Sequence, residues 1–365
     1  MIVHISALVA FCHIFSLFFA LPALAQTAAK SPQIKLVATL DHPQTARLSW
    51  SPDGRYLATS GLAGVAKKGI FEKNIDLPTL AVWDVASRKL IQAYPRRGAL
   101  SFVALIGNAP QIMGALHTAP GWNAGVAFSI WDARTGELHK HVAGPASADD
   151  PKAYIKNQPR SFSYSSSANR LIVQHGQENA VFVYNTADWS REAVALPGLL
   201  PHSLTFSPDG SRLAFGVQSR QEIIEFSTGR QIASFHPFDI KSTSTAWSPD
   251  GRKIAFIKSP IGGIKASAPS DIKVWDAATG QALHEYGGDF SGSALARQTI
   301  AWSFDGRFIA TSTSDGMIRL WHADRPELAA EVSREYSKAS SLAFSPTANL
   351  LAVASYAAVR VFQID

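Results

Sequence analysis

The feature that most constrains this chain is internal repetition. Leu48 to Ser60 reads LSWSPDGRYLATS and Leu204 to Gly216 reads LTFSPDGSRLAFG. AWSPDGRKIAF (246–256), AWSFDGRFIAT (301–311) and the weaker AFSPTANLLAV (343–353) repeat the theme. A second element follows most of them: AVWDVASRKLIQAY at 81–94, SIWDARTGELHKH at 129–141, KVWDAATGQALHEY at 273–286 and RLWHADRPELAAEV at 319–332. Phe206 and Trp247 are 41 residues apart, and Trp302 and Phe344 are 42 apart. Such a period means stacked supersecondary units, each of which buries its apolar face only against its neighbours.

Each unit reads as β structure. Short apolar runs alternate with polar residues and are bounded by turn chemistry, with no helical period of useful length. In Pro-Asp-Gly, Pro fixes φ, Asp bonds back to the backbone and Gly takes the left-handed position. Asp-x-x-Thr-Gly at 132–136 and 276–280 supplies a second tight turn in the same way. Each unit therefore has strands a, b, c and d, with Pro-Asp-Gly joining a to b and Trp-Asp preceding the c–d turn.

The pairs Trp83-Asp84, Trp131-Asp132 and Trp275-Asp276, within units of about 40 residues, resemble the WD-repeat β-propeller family. The segments at 207–215 and 248–256 also resemble the repeats of TolB-like periplasmic propellers. The likeness covers nearly all of residues 34–365 and implies an all-β, single propeller of four-stranded blades. Blade starts near Leu48, Leu100, Ser161, Leu204, Ser244, Thr299 and Ser341 give seven blades. Six or eight stay open, because blades 2 and 3 have lost Pro-Asp-Gly. The chain ends on a strand c, and IKLVATL (Ile34–Leu40) matches strand d, so the first strand is expected to complete the last blade and close the ring. The resemblance also implies a polar network of His, Ser or Thr, Trp and Asp within blades. Blade 6 comes near it, with 314–316 and Trp321, and blade 1 offers His42. The departures lead us to expect blades held mainly by apolar packing.

Composition excludes other classes. With 46% hydrophobic and 17% charged residues, the chain is neither disordered, collagen-like nor coiled-coil. At 365 residues it buries roughly 75% of its unfolded surface, so disulfides or metals are not needed for a core. The first charged residue is Lys30. Positions 5–21 are almost wholly apolar, and Ala23-Leu24-Ala25 has the small-x-small form of a signal-peptidase site. Residues 1–25 are expected to be a signal peptide cleaved after Ala25 and 26–33 a short linker. The alternative is an uncleaved membrane anchor. Cleavage removes Cys12, the one cysteine, and leaves a thiol-free chain suited to a periplasmic or secreted location, with no stable membrane insertion.

Strand alternation sends a–b and c–d turns to one face, and b–c and d–a loops to the other. Nearly all the length variation falls on the second face: 61–79, 117–127, 143–160, 258–271 and 287–298. Insertions confined to one face commonly mark the binding face of a repeat fold. Its candidate anchors are Phe71, Trp122, Tyr154 and Phe290, and its candidate cations are Lys67, Lys68, Arg96, Arg97 and Lys156. The net charge of +6 and pI ≈ 9.4 suit an acidic protein partner or an anionic envelope polymer. No run of five basic residues exists, so nucleic acid is not an expected partner.

No enzyme signature is present. There is no Gly-x-Ser-x-Gly, His-Glu-x-x-His, phosphate-binding glycine loop or calcium loop. No metal site or other cofactor is expected. His139 and His141 share a strand, and two ligands do not make a zinc site. His117 and His175 end b strands in neighbouring blades and are the candidates for a channel mouth. Two readings follow: a non-enzymatic protein-binding scaffold of the bacterial cell envelope, or a propeller enzyme (hydrolase or lyase) or small-ligand receptor with its site at the central channel.

Overall fold

Tight turns that close on themselves, set between short β-branched and aromatic runs, dictate strand after strand, and among the described residues no helix interrupts them. The computed structural model describes residues 31–42, 45–61, 80–94, 99–107, 111–117, 126–144, 159–175, 180–192, 202–217, 220–236, 242–258, 270–287, 299–312, 317–332, 339–355 and 357–365. Among them no helix is long and apolar enough to cross a membrane.

Strand β1 (Ile34–Leu40) comes first in the chain. Blade 1 is β2 (Thr45–Trp50), β3 (Tyr56–Gly61), β4 (Leu80–Asp84) and β5 (Lys89–Tyr94). Blade 2 is β6 (Ala99–Ile106), β7 (Gln111–His117), β8 (Val126–Asp132) and β9 (Leu138–Ala143). Blade 3 is β10 (Pro159–Ser165), β11 (Arg170–His175), β12 (Ala180–Asn185) and β13 (Arg191–Glu192). Blade 4 is β14 (His202–Phe206), β15 (Arg212–Val217), β16 (Arg220–Glu225) and β17 (Gln231–Phe235). Blade 5 is β18 (Ser242–Trp247), β19 (Lys253–Lys258), β20 (Ser270–Asp276) and β21 (Ala282–Gly287). Blade 6 is β22 (Ile300–Trp302), β23 (Phe308–Ser312), β24 (Ile318–His322) and β25 (Leu328–Val332). Blade 7 is β26 (Ser341–Phe344), β27 (Leu350–Ala354), β28 (Val359–Ile364) and, on its outer edge, β1.

Seven four-stranded antiparallel sheets result, each in chain order except the last, whose order is β1-β28-β27-β26. Blades 2 and 3, faint in sequence, are complete sheets. In blade 7, Ile34 lies opposite Ile364 and Leu40 opposite Val359.

There is no single core. Seven apolar clusters lie at the seven seams between neighbouring blades. The seam of blades 7 and 1, for example, packs Leu40 and Val361 against Trp50, Leu57 and Trp83. Strands b and c are therefore buried on both sides, as in β3 and β4, where every residue is inside, and they read as continuous apolar runs. Outer strands stay half wet.

Hydrogen bonds cross each seam as well. The indole N–H of Trp50 donates to Ala343 O at 3.0 Å, that of Trp302 to Ala246 O at 3.1 Å and that of Trp247 to Thr205 O at 3.4 Å. Where strand a lacks Trp, the backbone N–H of Leu105 reaches Ser49 Oγ and that of Phe206 reaches Ser163 Oγ. Gly107 N–H donates to Tyr164 OH between blades 2 and 3, and Asn349 pairs with Asp305 between blades 7 and 6.

Candidate functional site

The two ends of the sheets differ in kind. At one end the a–b turns satisfy themselves. Ser51, Ser207, Ser248 and Ser303 donate their hydroxyls to Asp53, Asp209, Asp250 and Asp305, at 2.5, 2.5, 2.6 and 2.7 Å. Burial pushes the carboxyls of Asp209, Asp250 and Asp305 up, yet these hydroxyls and the neighbouring N–H groups outweigh it, and each carboxyl sits below its ordinary value. The c–d turns do the same. Asp132 accepts the N–H of Thr135 and of Arg134, and Asp276 that of Thr279 and of Ala278, at 2.8 to 3.0 Å. In blade 1 the Ser87 N–H and then the Arg55 guanidinium hold the Asp84 carboxyl low. The turn carboxylates named on this face are all engaged.

The other end carries the b–c and d–a connections, including 62–79, 118–125, 144–158, 259–269 and 288–299. Lys67, Lys68, Phe71, Arg96, Arg97, Trp122, Tyr154, Lys156 and Phe290 all lie outside the described residues. His117 closes β7 opposite Ala99, and its side chain is likewise outside the description. His175 is described, and it is not at an open mouth. It is 0% exposed, with Nε2 at 3.2 Å from Tyr184 OH and its ring against Phe182. Burial raises the Tyr184 phenol well above its ordinary value, with Arg191 opposing it. Among the described residues no group of three or more His, Cys, Asp or Glu is placed to hold a metal ion.

The blade network is fuller than the sequence suggested. His42 Nδ1 lies 2.6 Å from Thr59 Oγ1, which also accepts the Trp83 indole N–H at 3.1 Å. In blade 6 Trp321 donates to Thr311 Oγ1 at 3.0 Å. The register explains both. Each Thr stands two residues beyond the strand-b partner of the Trp: Leu57 for Trp83, Ile309 for Trp321. In blade 5 that place is Phe256, and the Trp275 N–H is buried without a hydrogen-bond partner. Thr59 and Thr311 were missed because a Thr within a strand carries no signal until its register to the Trp is counted. The polar contacts fall in blades 1 and 6, the two blades that the sequence singled out, within blades packed mainly by apolar side chains.

Residues 289–322, spanning strands a to c of blade 6, match the WD40 family of WD domain, G-beta repeats. The chain is a seven-bladed β-propeller, one blade of which matches that repeat. A solved relative in fold is the Cps50 (Swd1) β-propeller domain of Myceliophteria thermophila, with a TM-score of 0.65 at 13% identity, covering 91% of this chain and 100% of that one. No curated protein sequence matches. Solved chains similar to this one number 1825, and a fold so widely shared establishes architecture while function is left to the surfaces.

Proposed function

We propose that this WD40-type propeller is a non-enzymatic, protein-binding scaffold of the bacterial cell envelope that takes its partner on the b–c and d–a loop face. The observation that carries the reading is the contrast between the two ends of the blades. One end is closed by self-satisfied turns, and the other receives nearly all the inserted sequence, with Phe71, Trp122, Tyr154 and Phe290 as anchors. A ring with seven hydrogen-bonded seams is a rigid base, so loops held on it bury anchors at a small ordering cost. Export rests on the uncharged N-terminal stretch ending in Ala23-Leu24-Ala25. Cleavage after Ala25 delivers a thiol-free chain to the periplasm or beyond.

Crosslinking in the native envelope followed by mass spectrometry identifies the partner. Changing Phe71, Trp122 and Tyr154 to Ala is expected to cost about 2 kcal/mol or more at true hot spots. Changing Lys67, Lys68, Arg96 and Arg97 to Ser is expected mainly to slow association and flatten its salt dependence. Arg134 and Arg230, in c–d turns, are the controls. Loss of binding from the controls with the loop variants intact would refute the face assignment. Sequencing of the mature N-terminus should begin at Gln26, and an intact Met1 in a membrane fraction replaces export with anchoring.

A further inference from the structure

The c–d turns hold a feature that packing does not explain. The residue four beyond the end of strand c takes a left-handed φ in five blades: Gly136 (φ 76°), Gly229 (69°), Gly280 (70°), Trp189 (64°) and Arg88 (58°). Glycine takes that conformation freely, whereas any other residue is strained by its Cβ there. Trp189 recovers the cost, because its ring is 7% exposed and packs on Phe128 at 6.1 Å. Arg88 recovers nothing, since it is exposed and has no carboxylate partner among the described residues. Lys89, next to it, is a second exposed cation in the same condition.

The strand that follows is as unusual. Among the described outer strands, β5 alone exposes two successive large apolar side chains, Leu90 at 46% and Ile91 at 36%. It ends its sheet, so one row of its backbone N–H and C=O groups has no strand beside it. Three sheet edges elsewhere in the ring carry charges in mid-strand, Lys140 on β9, Glu285 on β21 and Glu331 on β25, whereas β17 carries none. Such charges keep an edge from pairing with other chains. After Lys89, β5 has none, as in β17, but only β5 adds two successive exposed large apolar side chains.

We propose that β5 is a second interaction surface, which accepts an extended segment of a partner protein as a fifth strand of blade 1. That segment carries acidic side chains towards Arg88 and Lys89 and apolar ones against Leu90 and Ile91. Main-chain pairing supplies attachment, and the two cations and two apolar side chains supply direction and selectivity. This surface is separate from the loop face, and its test does not depend on that face.

The probe is a labelled ten-residue peptide of alternating valine and threonine with two glutamates at one end, read by fluorescence anisotropy against residues 26–365. These contain the whole compact unit Pro32–Asp365. A counterpart peptide ending in two lysines is the comparison. The acidic peptide is expected to bind and to slow hydrogen exchange along β5, with the lysine peptide about tenfold weaker or worse. Arg88→Gly with Lys89→Ser should weaken the acidic peptide about tenfold. Because Arg88→Gly removes strain, the loss cannot be assigned to unfolding. Leu90→Ser with Ile91→Lys should abolish binding. Equal binding of the two peptides, no binding up to their solubility limit, or protection only outside β5 overturns the proposal. So does self-association through β5 in sedimentation, or protection of β5 by phosphatidylglycerol vesicles in place of the peptide.

Discussion

At the level of single residues, the turn glycines have two duties, and the sequence discloses only one. Gly210 has φ +71°, which the Pro-Asp-Gly pattern foretells. A Cβ there would also run into Ser165 and Ala168 of blade 3, a contact no local pattern encodes. Gly210→Ala is therefore expected to destabilise by about 2 kcal/mol or more, combining left-handed strain with overpacking. Arg88→Gly should act oppositely and stabilise by about 1 kcal/mol, because that side chain is in open solvent. Denaturant melts of the two variants against the parent test both signs. The turn carboxylates set an acid limit. Backbone N–H groups of Ser87, Thr135 and Thr279 are the largest influence holding Asp84, Asp132 and Asp276 below the ordinary value of 3.8. Their contribution is complete above that value and fades as pH falls through the lowered ones. Stability should thus decline below about pH 4, and Asp132→Asn with Asp276→Asn should flatten the decline.

Among elements, the strands were legible wherever turn chemistry and alternation agreed. Blades 5 and 6 could be drawn from Pro-Asp-Gly or Phe-Asp-Gly and the strand-c Trp alone, and blade 4 from its Pro-Asp-Gly and the apolar run that follows it. Blades 2 and 3 were faint because their a–b connections lost the Pro-Asp-Gly motif while their strands kept apolar runs such as Leu171 to Val173, all fully buried. What stayed hidden depends on register between strands, which repeat spacing does not report: Thr59 beneath Trp83, Thr311 beneath Trp321, and the burial of His175 against Tyr184. The candidate binding residues were chosen by their place in long connections, so nothing in strand periodicity bears on them. Thr59→Val keeps the shape and removes the hydroxyl that accepts the Trp83 N–H and pairs with His42. It should cost about 1–3 kcal/mol and alter Trp83 fluorescence. Val in place of Phe256 leaves no acceptor to lose beside Trp275, so its fluorescence change should follow packing alone. If Thr59→Val melts like the parent, the network does not contribute to stability.

Across the whole molecule, stability belongs to seams. Each blade is a neighbour's other half, so losing one strand is felt at two interfaces and then around the ring. Deleting 26–41 removes β1, strips the outer edge of blade 7 and takes Leu40 from the seam with blade 1. We expect that deletion to lower the melting temperature steeply and to expose β28 to aggregation, whereas a polar insertion of similar length within 62–79 should be tolerated. Calorimetry of the two variants decides it, and a parent-like melt of the deletion would show that β1 does not hold the ring shut. The shared blade also fixes an order in time. Ile34 has to wait for Ile364, and a ribosome adding about 5–20 residues each second needs tens of seconds to make the span between them. Through that interval β1 has no strand to pair with. Losing Val359 to Ile364 would leave it so for good, since those residues are its whole complement of partners in the sheet.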